Sequence, residues 1–200
     1  MIDIRKISNI GPYKILESYY AEALKQQQSY IEALQVSSYN PSSKEVHSRI
    51  VNLKYIIDDE WIFFSNYNSS KAIDFENHDQ ISTIFFWSSI NVQVRTLGHI
   101  KKTDRTFSDI HYQKRSTKKN ILAISSNQSK KIGSYEEVNT NYLSTKNNKK
   151  IDLNQRPEYW GGYSFTPYYF EFWEGDDSRI NKRKVYEIEG REWVKYYLQP

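Results

Sequence analysis

Cysteine is absent from this chain of 200 residues, and glycine and proline are scarce, with seven and five residues respectively. The lack of cysteine excludes disulfide bonds, thiolate metal sites and a cysteine nucleophile. Long apolar runs are also missing, because the longest, residues 84–87, falls far short of the roughly 18 residues that a membrane-spanning helix needs. Residues 1–6 are not followed by the apolar stretch of a secretory signal. We therefore expect a soluble cytoplasmic protein.

The motifs of several enzyme classes are missing as well. The sequence contains no glycine-rich dinucleotide loop, no Walker A loop and no G-x-S-x-G motif. The histidines show neither metal-ligand spacing nor a nearby carboxylate cluster; they are His47, His78, His99 and His111. We predict no metal site and no nucleophile supplied by the protein, so that catalysis would need a bound cofactor.

Aromatic residues are abundant, at 16% of the chain, and can build a core although only 38% of the residues are hydrophobic. Alternation predicts strands over residues 46–57, 61–66, 81–88, 92–101, 163–173, 184–188 and 193–198. Helical spacing predicts helices over residues 12–34, 69–77, 103–115 with further helix to 127, and 135–143, with a break at 37–43. The fold class is mainly β, an antiparallel barrel or sheet with helical attachments. Residues 1–40 form an N-terminal helical segment and residues 41–200 the main domain.

Positive charge is concentrated in one stretch of the chain. The net charge is only +4, yet residues 100–131 contain nine Lys or Arg and two Asp. A local basic patch on a near-neutral body favours a small anion such as phosphate over a nucleic acid. Within it, His111, Arg115 and Lys119 are spaced to share one face of a continuous helix. They form either an anion site or, as the sequence alone favours, a solvated basic face.

Two further groups of charged residues have alternative interpretations. Arg49 shares a strand face with Val51, where it either needs a buried partner or lies at an exposed strand end. Arg179, Asn181 and Arg183 alternate along the chain and would point the same way if it is extended. They either frame a flat anionic ligand together with an aromatic side chain or form a charged turn.

Seven short motifs in order resemble the pyridoxamine 5'-phosphate oxidase family of FMN-dependent oxidases. The resemblance covers residues 43–200, with residue spacing like that of the family. The motifs are Arg49-Ile50-Val51-Asn52-Leu53-Lys54, Phe64-Ser65-Asn66-Tyr67-Asn68-Ser69-Ser70-Lys71, Gln93-Val94-Arg95, Gln128-Ser129, Trp160-Gly161-Gly162-Tyr163, Glu171-Phe172-Trp173 and Arg179-Ile180-Asn181-Lys182-Arg183. The resemblance implies a split β-barrel homodimer with FMN at the subunit interface, in which residues 159–200 complete the barrel and the interface.

The resemblance also implies the roles of individual residues. The FMN positions are Arg49, Ile50, Val51, Asn52, Leu53, Lys54, Phe64, Ser65, Ser70, Lys71, Gln93, Gln128, Ser129, Trp173 and Arg183. The substrate phosphate positions are Lys54, His111, Arg115 and Lys119. Two residues, Arg179 and Asn181, lie over the substrate ring and are the implied catalytic pair.

Four substitutions depart from the family pattern. Ser70 replaces an arginine at the FMN site, and Asn181 replaces the histidine that pairs with Arg179. At the substrate phosphate, His111 replaces a tyrosine and Lys119 a serine. The N-terminal segment that covers the substrate in the family is not recognisable before residue 12.

The resemblance implies oxidation of pyridoxamine or pyridoxine 5'-phosphate to pyridoxal 5'-phosphate, with oxygen as acceptor and hydrogen peroxide as product. The expected partners are a second copy of the chain, this small anionic substrate and oxygen, with neither nucleic acid nor membrane. The substitutions leave two alternatives, a flavin oxidase of another reduced anionic substrate, as in phenazine biosynthesis, and a non-catalytic protein that binds FMN or pyridoxal phosphate.

Overall fold

The computed structural model describes residues 1–200 and contains ten strands and five helices. The strands are β1 (Asp3–Arg5), β2 (Ala33–Asn40), β3 (Glu45–Asn52), β4 (Tyr55–Ile57), β5 (Glu60–Asn66), β6 (Gln80–Trp87), β7 (Val92–Lys102), β8 (Trp160–Glu174), β9 (Lys182–Glu189) and β10 (Glu192–Leu198). The helices are α1 (Gly11–Lys25), α2 (Ser70–Asn77), α3 (Arg105–Gln113), α4 (Thr117–Ser125) and α5 (Tyr135–Asn147). None of the helices combines the length and the apolar character needed to cross a bilayer.

All ten strands belong to one open sheet, which confirms the predicted mainly β class. The order is β1-β4-β5-β8-β7-β6-β2-β3, and β9 pairs with β8 while β10 pairs with β9. Every pairing is antiparallel except that of β1 with β4. The long strand β8 pairs with three strands, because β7 lies along one edge while β5 and then β9 lie along the other.

Strand β8 changes register against β7 at Gly98, where the ladder has an irregularity next to Leu97. A Cβ atom at Gly98 would lie only 3.0 Å from the backbone oxygen of Thr166, so the close approach of the two strands favours glycine here. A bulge of this kind bends a strand, which allows β8 to pair with β5 in its first part and with β9 in its last part.

Aromatic side chains fill the space enclosed by the sheet and α1. Trp61 is fully buried, with its ring centroid 5.5 Å from that of Phe165 and 6.0 Å from that of Phe170. Tyr13 of α1 packs edge-on against Phe170 at 5.1 Å. The abundance of aromatic residues in the sequence therefore accounts for the core, as their large buried area compensates for the scarcity of aliphatic residues.

The N-terminal region differs from the sequence prediction. The helix predicted over residues 12–34 ends at Lys25, and Gln27 and Tyr30, with φ of 54° and 51°, turn the chain. The break predicted at residues 37–43 is wrong over its first part, because β2 extends to Asn40 and pairs with β3 and β6. The buried face of β2 includes Ser38, and this polar residue interrupts the alternation of apolar and polar residues by which a strand is recognised in a sequence. The short strand β1 was not predicted.

Two other predicted elements are divided in the structure. The strand predicted over residues 46–57 is interrupted at Leu53 and Lys54, whose backbone N–H groups donate to partners outside the β3 ladder. The helix predicted over residues 103–115 ends at Gln113, and a new helix begins after Ser116. The β4–β5 hairpin, the pairing of β6 with β7 and helix α2 agree with the prediction.

We expect Phe170→Ala to lower the free energy of unfolding by about 3–5 kcal/mol, because Phe170 is fully buried among aromatic rings and its removal leaves a cavity. Urea denaturation measures this loss. Tyr135→Ala is the control, since Tyr135 is 74% exposed and its truncation should change stability by less than about 0.5 kcal/mol. A similar small effect for both variants would contradict the assignment of Phe170 to the core.

Candidate functional site

A cavity of about 460 Å³ opens between β3, β5 and the junction of α3 with α4. This volume suits a small organic ligand. Its lining consists of Ile50, Val51, Asn52, Lys54, Phe64, Ser65, Lys71, His111, Lys114, Arg115, Ser116, Lys119, Gln128 and Trp160. Five of these side chains are Lys or Arg and none is a carboxylate. The lining is therefore suited to an anionic ligand.

Lys71 is a buried cation without a carboxylate partner. The side chain belongs to α2, Lys71 is 6% exposed, and its Nζ donates to the hydroxyl oxygens of Ser65 at 3.0 Å and Ser69 at 3.1 Å. Burial, and secondarily the nearby positive charge of Arg49, lowers the pKa of Lys71 to about 8. An anion in the cavity would supply the missing countercharge. Of the two hydroxyls, Ser65 also lines the cavity.

Arg49 has the buried partner that one interpretation of its strand position required. Its Nη1 donates to the Ser38 hydroxyl at 2.7 Å and to the Val36 carbonyl at 3.3 Å. Asp74 of α2, which is 1% exposed, accepts from the same Ser38 hydroxyl at 2.6 Å and lies 3.7 Å from Arg49 Nη2. Asp74 thus holds Arg49 in place near Lys71 while remaining outside the cavity lining.

The sequence places His111, Arg115 and Lys119 on one face of a continuous helix, but in the structure two helices share these residues and the turn between them. Because α3 ends at Gln113, Arg115 lies in the turn before α4, yet His111, Arg115 and Lys119 all line the cavity. The Arg115 guanidinium carbon lies 4.1 Å from the centroid of the Trp160 ring, and its Nη2 donates to the Lys119 carbonyl. Its Nη1 is buried without a hydrogen-bond partner. The three side chains thus line one cavity although no continuous helix carries them.

His111 is held between aromatic rings. Its ring stacks on Phe64 with centroids 3.6 Å apart and an interplanar angle of 8°, and Trp160 lies in the same stack at 6.2 Å. Its Nδ1 is 2.8 Å from the hydroxyl oxygen of Tyr55. Burial, followed by the charges of nearby cations, lowers the pKa of His111 to about 4. The imidazole is therefore neutral at neutral pH.

The two glycines of the W-G-G motif, Gly161 and Gly162, allow close packing beside Trp160. A side chain at Gly161 would overlap the Tyr67 hydroxyl, and one at Gly162 would overlap Thr103. The Tyr67 hydroxyl donates to the Gly162 carbonyl at 3.1 Å. Glycine at both positions thus allows β8 to approach β5 and places Trp160 at the cavity.

Two predicted FMN residues, Ser70 and Ser129, lie beside each other outside the lining. The Ser70 hydroxyl donates to that of Ser129 at 3.4 Å, and Ser129 has φ of 70°, in the left-handed region that is unusual for a non-glycine residue. Gln128 lines the cavity, and its Oε1 accepts from the backbone N–H of Asn66 at 3.4 Å. Of the other motif residues, Leu53 is fully buried in the core.

The remaining predicted residues form a separate group. Gln93, Trp173 and Arg183 are cross-strand neighbours on β7, β8 and β9. None of them lines the cavity, and neither do Arg179 and Asn181. Within one chain the predicted site residues therefore form two separate groups, those that line the cavity and a second group. The second group consists of Gln93, Trp173, Arg179, Asn181 and Arg183.

Of the two interpretations of residues 179–183, the structure shows the charged turn. Arg179 lies in an exposed turn with φ of 62°, and the Asn181 Oδ1 accepts from the backbone N–H of Asp176 at 3.1 Å. Arg183, within β9, instead forms an ion pair with Glu171 at 2.7 Å. Sequence reasoning also missed four residues at or beside the cavity, although Trp160 stood in a quoted motif. They are Tyr55, Lys114, Ser116 and Trp160.

The sequence is 31% identical over 193 residues to a pyridoxine/pyridoxamine 5'-phosphate oxidase of Leptospira biflexa serovar Patoc, covering 96% of this chain and 91% of that protein. The chain belongs to the pyridoxine/pyridoxamine 5'-phosphate oxidase family. Residues 160–200 match the family model described as the pyridoxine 5'-phosphate oxidase C-terminal dimerisation region. Membership confirms the resemblance drawn from the motifs, and FMN is the cofactor of this family of oxidoreductases.

Two solved structures share the fold of this chain. PhzG from Burkholderia lata 383, in complex with tetrahydrophenazine-1-carboxylic acid, has a TM-score of 0.87 and 23% identity, covering 94% of this chain and 92% of that chain. A pyridoxamine 5'-phosphate oxidase-related, FMN-binding protein from Nostoc punctiforme has a TM-score of 0.77 and 13% identity, covering 96% and 99%. The predicted split-barrel fold is thereby confirmed.

The buried Lys71 of this oxidase-family chain predicts a pH dependence of stability. Its pKa is about 8 in the folded protein against 10.5 ordinarily, so the unfolded chain binds more protons between these pH values. The contribution of Lys71 to the free energy of unfolding therefore rises with pH through this window. Urea denaturation between pH 7 and 9 should show a rise that Lys71→Met flattens. Lys25→Met, at an exposed position, is the control, and an equal slope in both variants would contradict the prediction.

Proposed function

We propose that the protein is an FMN-dependent oxidase that converts pyridoxamine or pyridoxine 5'-phosphate to pyridoxal 5'-phosphate. The observation that carries this proposal is the buried Lys71, a cation without a carboxylate partner, beside a cavity lined by cations. Two anionic groups, a cofactor phosphate and a substrate phosphate, account for the number of positive charges. The family membership supplies the reaction class.

The residues around Lys71 fit the phosphate of FMN. Lys71 and Arg49 supply charge, while the Ser65, Ser70 and Ser129 hydroxyls are further donors within the same region. Ser70 stands where the family has an arginine, so it donates a hydrogen bond but no charge. When bound, FMN supplies the two-electron acceptor that molecular oxygen then regenerates with formation of hydrogen peroxide.

The second anionic group lies against the junction of α3 with α4. Lys54, Lys114, Arg115 and Lys119 line this side of the cavity together with His111. A phosphate monoester has three terminal oxygens to accept from these donors, whereas a carboxylate has two. The number of donors therefore favours a phosphate substrate over a carboxylic acid of the kind bound to the PhzG structure.

A second copy of the chain completes the site in this proposal. Gln93, Trp173 and Arg183 stand in one cross-strand row with Phe86, which is 55% exposed. Ile50, at the cavity, is 64% exposed. In a two-fold dimer the row of one copy can face the cavity of the other, which buries both apolar side chains. Residues 160–200, the matched dimerisation region, contain most of this second group.

The contribution of the protein to the reaction is binding and orientation. The cations would hold the substrate phosphate and so keep the reacting carbon at one place relative to bound FMN. Arg179 and Asn181, brought by the second copy, lie over the substrate ring in this arrangement. Gln93 is able to hydrogen-bond the edge of the flavin, and Trp173 provides an apolar wall that excludes water.

Anaerobic mixing of the purified FMN-bound protein with pyridoxamine 5'-phosphate should bleach the flavin absorbance, and oxygen should restore it. Arg115→Met should raise the KM for this substrate by about tenfold or more, since it removes a charged donor from the phosphate site. Lys25→Met is the control. An unchanged flavin spectrum in the unmodified protein would exclude this substrate, and bleaching by a reduced tricyclic carboxylic acid in the same assay would favour the phenazine-type alternative.

Mixed dimers test whether the two groups come from different copies. Lys71→Met removes a cavity residue and Arg179→Met removes a residue of the second group, so each variant alone should be nearly inactive. When the two are co-expressed, about a quarter of the activity should return, because half of the dimers are mixed and each has one intact site. The control is the activity of each variant alone, and a mixture no more active than these would place both groups in one chain.

A further inference from the structure

Tyr55 is a buried tyrosine to which no motif assigns a role. It belongs to β4, is 9% exposed, and places its hydroxyl 2.8 Å from the Nδ1 of His111. The two rings are nearly perpendicular, at 83°, with centroids 5.4 Å apart. Phe107 and Phe64 contact the Tyr55 ring edge-on at 5.4 Å and 6.2 Å. The hydroxyl is therefore aimed at the imidazole by packing on several sides.

The orientation of the His111 ring is fixed by two independent contacts. Its face lies on Phe64, and the hydrogen bond of Nδ1 to Tyr55 sets the rotation of the ring within that plane. The structure gives its other nitrogen, Nε2, no hydrogen-bond partner, and His111 lines the cavity. Nε2 is thus the atom that remains available for a ligand.

The charged groups around Tyr55 and His111 determine the protonation state of the imidazole. Burial disfavours the protonated form of the His111 imidazole. Four nearby cations act in the same direction, namely Arg115, Lys54, Lys114 and Lys119. From β1, the guanidinium of Arg5 lies 5.1 Å from the centroid of the Tyr55 ring. Asp3, paired with Arg5, is the acidic residue that also acts on Tyr55. The imidazole is neutral in this setting, so only one of its nitrogens carries a proton.

We propose that Tyr55 is a positioning residue, whose hydroxyl donates to Nδ1 of His111 and so fixes the Nε2–H tautomer as a neutral donor to the anionic group of the substrate. A hydroxyl can donate or accept, but only donation to Nδ1 leaves the proton on Nε2, where an anion needs it. His111 then adds a hydrogen bond without a fifth charge at a place already surrounded by four cations. The assignment of the anion as the substrate's rests on the proposed function.

The tautomer can be observed in the unmodified FMN-bound protein. Long-range ¹⁵N NMR correlations distinguish the protonated from the unprotonated ring nitrogen, and His111→Gln identifies which of the four histidine signals belongs to His111. With inorganic phosphate as the probe, we expect Nε2 to be protonated and Nδ1 unprotonated at pH 7. The opposite tautomer, or a charged imidazole, would overturn the proposal. This measurement needs no turnover, so its outcome is separate from that of the oxidase assay.

Binding of pyridoxal 5'-phosphate tests the coupling of the two residues. Tyr55→Phe should raise its Kd by about tenfold, because the tautomer is no longer fixed. His111→Gln keeps a neutral donor near the position of Nε2 and does not depend on Tyr55, so adding Tyr55→Phe to it should change the Kd by less than about twofold. Tyr19→Phe, whose hydroxyl bonds Glu174 instead, is the matched control and should bind normally.

Equal effects of Tyr55→Phe in the presence and absence of His111 would show that Tyr55 acts through packing alone, and would overturn the proposal. The FMN content of each variant shows whether the cavity is intact. If Tyr55→Phe does not fold, the ¹⁵N measurement on the unmodified protein decides the question. If pyridoxal 5'-phosphate does not bind to that protein, the proposed substrate fails, while the tautomer with inorganic phosphate still supports or refutes the role of Tyr55.

Discussion

The site depends on keeping positive charge out of water without a carboxylate to neutralise it. Lys71 is the clearest instance, and the unbonded Nη1 of Arg115 is another. Such groups destabilise the folded chain unless an anion joins them. The only buried carboxylate nearby, Asp74, is engaged by Ser38 and holds Arg49 from outside the cavity. The same arrangement that weakens the ligand-free protein therefore produces its affinity for anions.

Aromatic rings give these charges a rigid support. The rings of Phe64, His111 and Trp160 form one wall of the cavity, and the Arg115 guanidinium carbon lies 4.1 Å from the centroid of the Trp160 ring. Because rings have few rotatable bonds, the wall loses little conformational entropy when a ligand binds. It also shields part of the Arg115 guanidinium from water, which strengthens its attraction for a bound phosphate. The high aromatic content thus serves both the core and the site.

Much of this could be predicted from the sequence, because the motifs are local. Most of the cavity lining comes from three short stretches, within residues 50–54, 64–71 and 111–119, and such short spacing is visible in the sequence. Other features depend on distant pairing. Strand β2 is not evident from the sequence because the hydrogen-bond partners of its buried Ser38, Arg49 and Asp74, lie on other elements. The contact of Tyr55 with His111 spans two elements that no spacing rule connects. The separation of Gln93 and its neighbours from the cavity follows from strand register, which residue patterns do not reveal.

Strand β8 separates the cavity from the second group of predicted site residues. Trp160 is the first residue of β8, at the cavity, and Trp173 lies near its end, so almost the whole length of the bent strand separates them. No local rearrangement can shorten that span while the ladder with β7 is intact. Within one chain, the cavity at the start of β8 and the row of Gln93, Trp173 and Arg183 near its end therefore stay apart.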